Sequence, residues 1–579
     1  MRVPAQIGIA ALVTAAAFSQ TASQPAFEAA DIHPSSKSGR LAAQGPFTGG
    51  GRYTLRTATV LDLIMKAYGI DDENKIIGGP NWLSFNRYDI LASMPAGTTP
   101  DNAKLMLQAL LANRFKLVAK KEDRPMPAFN LVAGKGKPKL REAAGSGDNG
   151  CKSQIQGLPP ANPGGEQPTI NISALTVSYT CRNMTMEAFA QLVRNYANDI
   201  VGAAPVYDKT DLKGAWDFEF KMSLNLGRAL GAANPDAITF PDALEKQLGL
   251  RLDAISVPQQ VMVVESISEP TPNVPDVAKL LPPPPTEFDV ADVRPSAPPQ
   301  QQGGAAPIRM GIQFQPGGRF NMTGLPLRTL ILQAWGINVD MLVGLPKFAE
   351  TDRYDIIAKV PADSVPVGAR PNAEAAAVVG VPMDQETVYV MLRKLLTDRF
   401  KMTYHYEDRP AAAYDLVAAK PKIKKADPNS RTKWFDGVPP GVKDPRNGNS
   451  ALGRVVTVQN MTMAQFGNEL QYIGAGYVRS PVLDKTGLEG AYDFTLAFSA
   501  PGVVNNGGRA GVLMIGNANG TVATVNLNGG NGDANATDPN GAISLFDAME
   551  KQLGLKLVET KRPVQVMVID HIEEKPIEN

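Results

Sequence analysis

Four aspartates stand directly after an aromatic residue at matching places in the chain: Asp89 after Tyr88, Asp217 after Trp216, Asp355 after Tyr354 and Asp493 after Tyr492. A positioned carboxylate is the first suspect for acid or base catalysis. The recurrence argues against it. One active site needs its acid once, whereas a residue returning in every copy of a unit belongs to what the copies share. All eight residues are expected to be structural, with hydrogen bonding at a strand end the role of the four aspartates, and no catalytic role is assigned to them.

The other reactive types fare no better in context. Asp484 to Gly487 spells the phosphorylation sequence of cation-pumping ATPases in letters, but the first half has "DKTD" at the same place. Followed by "LEGAYDF", the stretch reads as a turn between strands, where Asp and Gly are favoured. Ser430 and Lys433 form a Ser-x-x-Lys, and Lys485, Thr486 and Gly487 the Lys-Thr-Gly of penicillin-recognising enzymes. Ser430 sits in the polar loop "ADPNSRTKWFD" and not at a helix start, no Ser-Asp-Asn lies between, and the separation is too short for that fold. His33, His405 and His571 are scattered, with no metal-ligand spacing, and there is neither a phosphate loop nor a nucleophile elbow. The sequence assigns no catalytic residue, metal or cofactor; a site assembled in space from Asp, Glu and Arg stays open.

These residues belong to a long duplication. "LLANRFKLVAKKEDRP" from Leu110 is answered by "LLTDRFKMTYHYEDRP" from Leu395, "FEAADIHPS" from Phe27 by "FDVADVRPS" from Phe288, and "LEKQLGLRL" from Leu244 by "MEKQLGLKL" from Met549. Each half holds a fainter repeat: "RYTLRTATVLDL" from Arg52 aligns with "SYTCRNMTMEAF" from Ser178, and "RFNMTGLPLRTL" from Arg319 with "VVTVQNMTMAQF" from Val455. The expected organisation is a signal peptide over 1–23, a first repeat domain over 27–270 with units near 51–133 and 177–267, and a Pro-rich linker over 271–287. A second repeat domain over 288–575 follows, with units near 318–419 and 454–572. In "LLPPPPTEF" the prolines favour an extended, semi-rigid spacer.

Within a unit, alternation in "RYTLR" predicts a strand, and Thr59, Thr185 and Thr462 stand where a helix N-cap accepts backbone N–H bonds, with Pro326 in that place in the third unit. Val60, Leu61, Ile64, Met65 and Tyr68 fall at helical spacing opposite Asp62 and Lys66, an amphipathic helix for a sheet to cover. A strand, a second helix, a further strand, a turn at Pro125, Pro258, Pro410 or Pro563, and a last strand complete a β-α-β-β-α-β-β unit. Helices packed on largely antiparallel sheets, an α+β fold, are the natural way to bury those stripes.

The halves diverge in their insertions. The first carries Cys151 and Cys181, the only cysteines, around a Pro- and Gly-rich stretch. In an exported protein such a pair suggests a disulfide, and closing a loop of about 30 residues contributes roughly 3 to 4 kcal/mol in the chain-entropy model. The second carries an Asn- and Gly-rich insertion from Arg509, expected as a mobile loop; its single "GGNGD" is too little for a repeated calcium site. Loops of this kind are where binding specificity usually sits.

Composition bounds the function. At 579 residues, 43% apolar and 20% charged, the chain is an ordinary multidomain globular protein; 58 basic against 57 acidic residues leave no field to attract nucleic acid or an anionic membrane. Arg2, the apolar run Ile7 to Phe18 and the small polar residues after it read as a secretory signal, too short for the roughly 20 residues that span a bilayer. A periplasmic or secreted location follows, with no membrane span after cleavage.

With "GGRFNMTGLPLRTLILQAWGI", "RYDIIA", "LLTDRFKM", "PVLDKTGLEGAYDFTL" and "VQVMVIDHIEE" in view, the chain resembles an uncharacterised, soil-associated bacterial family of exported proteins built on a domain of unknown function. The resemblance covers nearly the whole mature chain, once per half, and implies no activity. Similar domains are sometimes attached to membrane metallopeptidases of the antibiotic-sensing type, which implies a sensory role outside the membrane; this chain carries two copies and no peptidase. The function expected is a non-catalytic binding or sensory module whose partner is a small molecule, a glycan or an envelope protein. The alternatives are a structural or interaction spacer in the envelope and a hydrolase with carboxylates in a cleft between units.

Overall fold

The computed structural model describes residues 25–35, 43–145, 149–156, 175–223, 238–296, 311–315, 318–362, 384–438, 442–447, 449, 452–501, 504, 509–516, 522–528 and 541–577. The signal peptide expected over 1–23 and the Pro- and Gly-rich stretch between the cysteines lie outside the described residues.

In the first unit the strands are β1 (Ala29–Pro34), β2 (Gln44–Gly49), β3 (Arg52–Thr59), β4 (Ile76–Gly78) and β5 (Arg87–Ser93), with helices α1 (Val60–Tyr68) and α2 (Pro100–Arg114). Thr59 caps α1 by accepting from the Asp62 N–H, while Asp62 accepts from the Thr59 N–H in return, and Gly69 closes the helix at φ 66°. This reciprocal box satisfies amide donors that a helix start otherwise leaves bare. The strands form an antiparallel sheet of order β1-β5-β3-β2, whose Leu55 and Ile90 meet Leu63 and Ile64 of α1 and Leu107 and Leu111 of α2 in one buried core.

The long strand β6 (Val118–Ala133) leads into the second unit, made of β7 (Arg141–Glu142), β8 (Gly150–Gln156), β9 (Thr176–Thr185), α3 (Met186–Tyr196), β10 (Val206–Lys209) and β11 (Ala215–Ser223). A helical turn Phe240–Asp242, continuing as a π-helix Ala243–Leu248, then leads into the long strand β12 (Leu250–Ser266). The sheet of order β7-β11-β9-β8 is antiparallel, and a disulfide joins Cys151 to Cys181 directly across β8 and β9.

The turns expected at Pro125 and Pro258 are absent. The chain runs straight through both as β6 and β12, which pair antiparallel along their length with Pro125 opposite Pro258. An antiparallel ladder has pairs whose N–H groups point outward, and there a proline forfeits no bond. The outer edges are unpaired at this level, since β10 flanks β6 only at Phe129 to Val132 and β4 flanks β12 only at Met262 to Val264. Both flanking pairs are parallel. The consequence is an exchange of strand ends: Met262 and Val264 of β12 complete the core of the first unit, while Leu131 of β6 enters that of the second beside Leu250.

The second half repeats this plan. Its strands are β13 (Val290–Pro295), β14 (Gly311–Gln315), β15 (Arg319–Pro326), β16 (Leu342–Val343) and β17 (Arg353–Lys359), with helices α4 (Leu327–Trp335) and α5 (Gln385–Arg399), and then β18 (Thr403–Ala418). The fourth unit adds β19 (Lys424–Lys425), β20 (Lys433–Asp436), β21 (Arg454–Thr462), α6 (Met463–Ile473), β22 (Val482–Asp484), β23 (Ala491–Phe498) and β26 (Leu555–His571). Pro410 faces Pro563 in the middle of β18 and β26, again without a turn. The insertion read as a mobile loop contains an antiparallel pair, β24 (Arg509–Gly516) with β25 (Val522–Asn528). The molecule is α+β, built from two tandem halves of two units each.

Candidate functional site

The four recurring aspartates do one job. In each unit a bulge interrupts the antiparallel partner of the Asp-bearing strand, and one residue there takes a left-handed conformation: Thr57 at φ 52°, Asn183 at 47°, Gly324 at 69° and Asn460 at 47°. The displaced amide needs an acceptor. Asp89, Asp217, Asp355 and Asp493 accept it, at 2.8, 2.9, 2.9 and 2.8 Å respectively. In the first and third units an arginine adds the second clasp, Arg87 donating to the Thr57 carbonyl and Arg353 to that of Gly324. The preceding rings are core members: Tyr88 meets Phe115 edge-on and Tyr354 meets Phe400, while Tyr492 is buried and Trp216 packs at the rim of its core.

The remaining motifs also resolve into local structure. Asp208 and Asp484 each accept from the N–H and hydroxyl of the threonine two residues on, Thr210 and Thr486, forming turns. Ser430 closes a turn on Asp427, and its carbonyl accepts from Asn460 Nδ2 at 2.6 Å. His33 lies 3.6 Å from Asp31 and 3.9 Å from Asp89, and His405 lies 2.8 Å from Asp570. Among the described residues no three His, Cys, Asp or Glu side chains gather in a way that could hold a metal. No helix among them is long and apolar enough to cross a membrane.

What the structure adds is a seam between the halves. Asn460, the bulge residue held by Asp493, also donates to the Pro428 and Ser430 carbonyls and accepts from the Thr432 hydroxyl through its own. It thereby fixes the 427–432 loop, whose Arg431 reaches into the first half and donates to the Ile76 and Gly78 carbonyls at 3.0 and 2.8 Å and to Ser84. Burial lowers the Arg431 pKa, and Glu73 works against that shift. The Thr432 N–H donates to the Asn81 carbonyl at 3.1 Å. Beside this contact, Arg56 of β3 holds Asp384, the N-cap of α5, through two bonds of 3.3 and 3.0 Å, with Asp89 at 3.6 Å on its other side. Burial opposes the Arg56 charge, but the Asp384 bond and charge, with Asp89 and Glu386 behind them, outweigh it and raise the pKa.

Two clefts open along the seam. One, of about 590 Å³, lies between β2, β3 and Asp384 and is roofed by Pro282 to Pro285 of the linker. The other, of about 610 Å³, has the start of α1 and the 84–87 segment on one wall and the edge strand β20 with α6 on the other. From the first half come Asp62, Lys66 and Phe85; from the second come Trp434, Phe435 and Glu469. Glu469, only 6% exposed, accepts the Trp434 indole N–H at 2.8 Å, which fixes the ring, and Arg454 sits 5.9 Å from its centre. Lys66 donates to the Gly45 carbonyl at 2.8 Å; burial lowers its pKa, with Asp62 partly restoring it. Ligand sites of about 300–1,000 Å³ at domain junctions, with aromatic walls and a few fixed polar groups, are the common type.

None of these cleft residues was singled out from the sequence as a binding residue. The signal was the "KWFD" edge strand, which has two aromatics where β8 of the second unit reads "CKSQIQ".

A family model described as a protein of unknown function (DUF3738) matches residues 61–267 and again residues 328–572. No curated protein and no solved structure matches the chain.

Proposed function

We propose, from the premise that the chain belongs to the DUF3738 family and carries that domain twice, that it is an exported, non-catalytic binding or sensory module of the soil-associated kind. Its ligand enters the 610 Å³ cleft between the halves. The observation carrying this reading is that cleft, where an indole fixed by a buried carboxylate faces charged side chains of the other half. Export is supported by the Cys151–Cys181 disulfide, a bond that persists in oxidising compartments, and by the apolar run after Arg2. A sensory output is supported by the seam, because β20, which lines the cleft from Lys433, follows directly on the loop that inserts Arg431 into the first half.

A thermal-shift screen of the mature chain against cell-wall fragments, polysaccharides, β-lactams and divalent metals tests this. A ligand at 100 times its Kd adds about 2.7 kcal/mol, which raises the melting point of a ~200-residue unit by roughly 5 to 10 °C. The shift should fall to about half in Phe435→Ala, where a ligand about tenfold weaker stands at about ten times its Kd. A shift undiminished by this change moves the site away from the cleft, and a cooperatively melting protein silent to the whole panel favours the spacer role.

A further inference from the structure

Resting on the reading of the 610 Å³ cleft as a ligand site, we infer that its ligand is an uncharged saccharide, bound with an apolar ring face against Trp434 or Phe435 and its hydroxyls against the charged rim.

The charge of the lining argues first. Among the described residues of the lining, Asp62, Glu73 and Glu469 are matched by Lys66, Arg87 and Lys433, three acids against three bases. A net charge entering such a site loses hydration and finds no counter-field to replace it. Most of these groups are also pinned by the protein itself. Asp62 Oδ2 accepts from the Thr59 N–H and hydroxyl at 2.9 and 2.7 Å, Arg87 donates to the Thr57 carbonyl at 2.7 Å, and Lys66 and Glu469 hold the partners described above. Lys433 lies 5.8 Å from the centre of the Phe435 ring. Held in this way, they act as fixed donors and acceptors and not as free counter-ions, and a hydroxyl is the group that serves both, since it donates once and accepts twice.

The shape of the apolar surface argues second. Among the described residues the aliphatic lining is Ala43 and Leu61, and the rest of the apolar wall is the flat rings of Phe85, Trp434 and Phe435. Branched peptide side chains are received by aliphatic pockets. Flat rings beside polar groups instead suit a ligand that is apolar on one face and hydroxylated at its edge, as a pyranose is.

Isothermal titration of the full mature chain decides the matter, with cellotetraose, xylotetraose, maltotetraose and N-acetylated chitotetraose as neutral probes. Tetragalacturonate, deacetylated chitotetraose and a blocked tetra-alanine serve as anionic, cationic and peptide probes. The expected result is binding of a neutral saccharide with an affinity unchanged between low and high salt, weakened about tenfold in Phe435→Ala. Trp434→Phe keeps a ring but removes the indole N–H that the buried Glu469 accepts; in a variant that still melts cooperatively, a change in tryptophan emission on binding should vanish with the indole. Binding only of a charged or peptide probe, lost in Phe435→Ala, overturns the saccharide assignment and leaves the cleft as the site. A neutral saccharide that binds equally well to both variants overturns the cleft itself. Silence from every neutral probe overturns the saccharide assignment.

Discussion

The seam inside each half and the seam between the halves are made of different material. Inside the first half, β6 and β12 pair along their whole length, and each delivers fully or nearly buried apolar residues, Leu131 one way and Met262 and Val264 the other, into the neighbouring unit's core. Between the halves the contacts are Arg431 on backbone carbonyls, Arg56 on Asp384 and Asn81 against the 428–432 loop, with Phe85 packing on the fourth unit's core. The first seam completes the core of each unit. The second is polar and encloses clefts, as contacts between domains that move relative to one another commonly are. Folding therefore resides in the half, and the binding site proposed above lies where two halves meet.

The sharpest way to break this comparison is to cut the chain. A fragment of residues 25–145 lacks Met262 and Val264 and exposes Leu131, so it should show no cooperative thermal transition by circular dichroism. Residues 25–287 contain both exchanged ends and should melt cooperatively. A single unit that folds alone would show that the exchange is incidental. Next in size, Leu131→Ala in the intact chain should cost about 2–5 kcal/mol by denaturant titration, as for other fully buried leucines. Although Leu131 stands at the end of the first unit's last strand, the loss of amide-exchange protection should appear in residues 176–223 and not in 52–93.

How much of this was legible beforehand depended on the range of the interaction. The caps at Thr59, Thr185 and Thr462 rest on bonds to residues three positions on, and such local chemistry is written in the local sequence. The four aspartates were readable as structural because the repetition itself was the signal. The strand exchange was not, because a proline amid alternating residues is read as a turn, and only the opposite strand shows that Pro125 pairs with Pro258. The cleft was invisible for the same reason at longer range: Lys66 and Trp434 are 368 positions apart, and nothing in either stretch names the other.

A smaller effect sharpens the link between the two seams. Asp493→Ala leaves the Asn460 N–H, in a residue 2% exposed, without its acceptor, at a cost of about 1–3 kcal/mol. Because Asn460 also fixes the loop carrying Arg431, the same change should speed amide exchange at 427–432 and weaken any ligand bound at Trp434. Asp355→Ala removes the equivalent acceptor in the third unit, where the bulge residue is Gly324 and has no side chain to hold a loop. It should cost a similar amount of stability with no effect on 427–432. Equal loop exchange in the two variants would mean that the bulge acceptors are uncoupled from the seam.

The smallest expected effect separates the acceptors by charge. The Asn183 N–H, and after it Arg141, hold the Asp217 carboxyl below the usual carboxylate range. A carboxyl with a depressed folded pKa adds stability above its unfolded pKa, near 3.9, and loses that contribution as the pH falls through the lower folded value. Asp217→Asn keeps an oxygen for the Asn183 amide but gives up the charge facing Arg141. The variant should therefore be slightly less stable than the parent at neutral pH, and the difference should shrink on acidification below about pH 4 as the parent's own carboxyl takes up its proton. Denaturant midpoints of the two proteins across the acid limb measure it. A gap that stays constant with pH would show that geometry alone, and not the carboxylate charge, closes the bulge in the second unit.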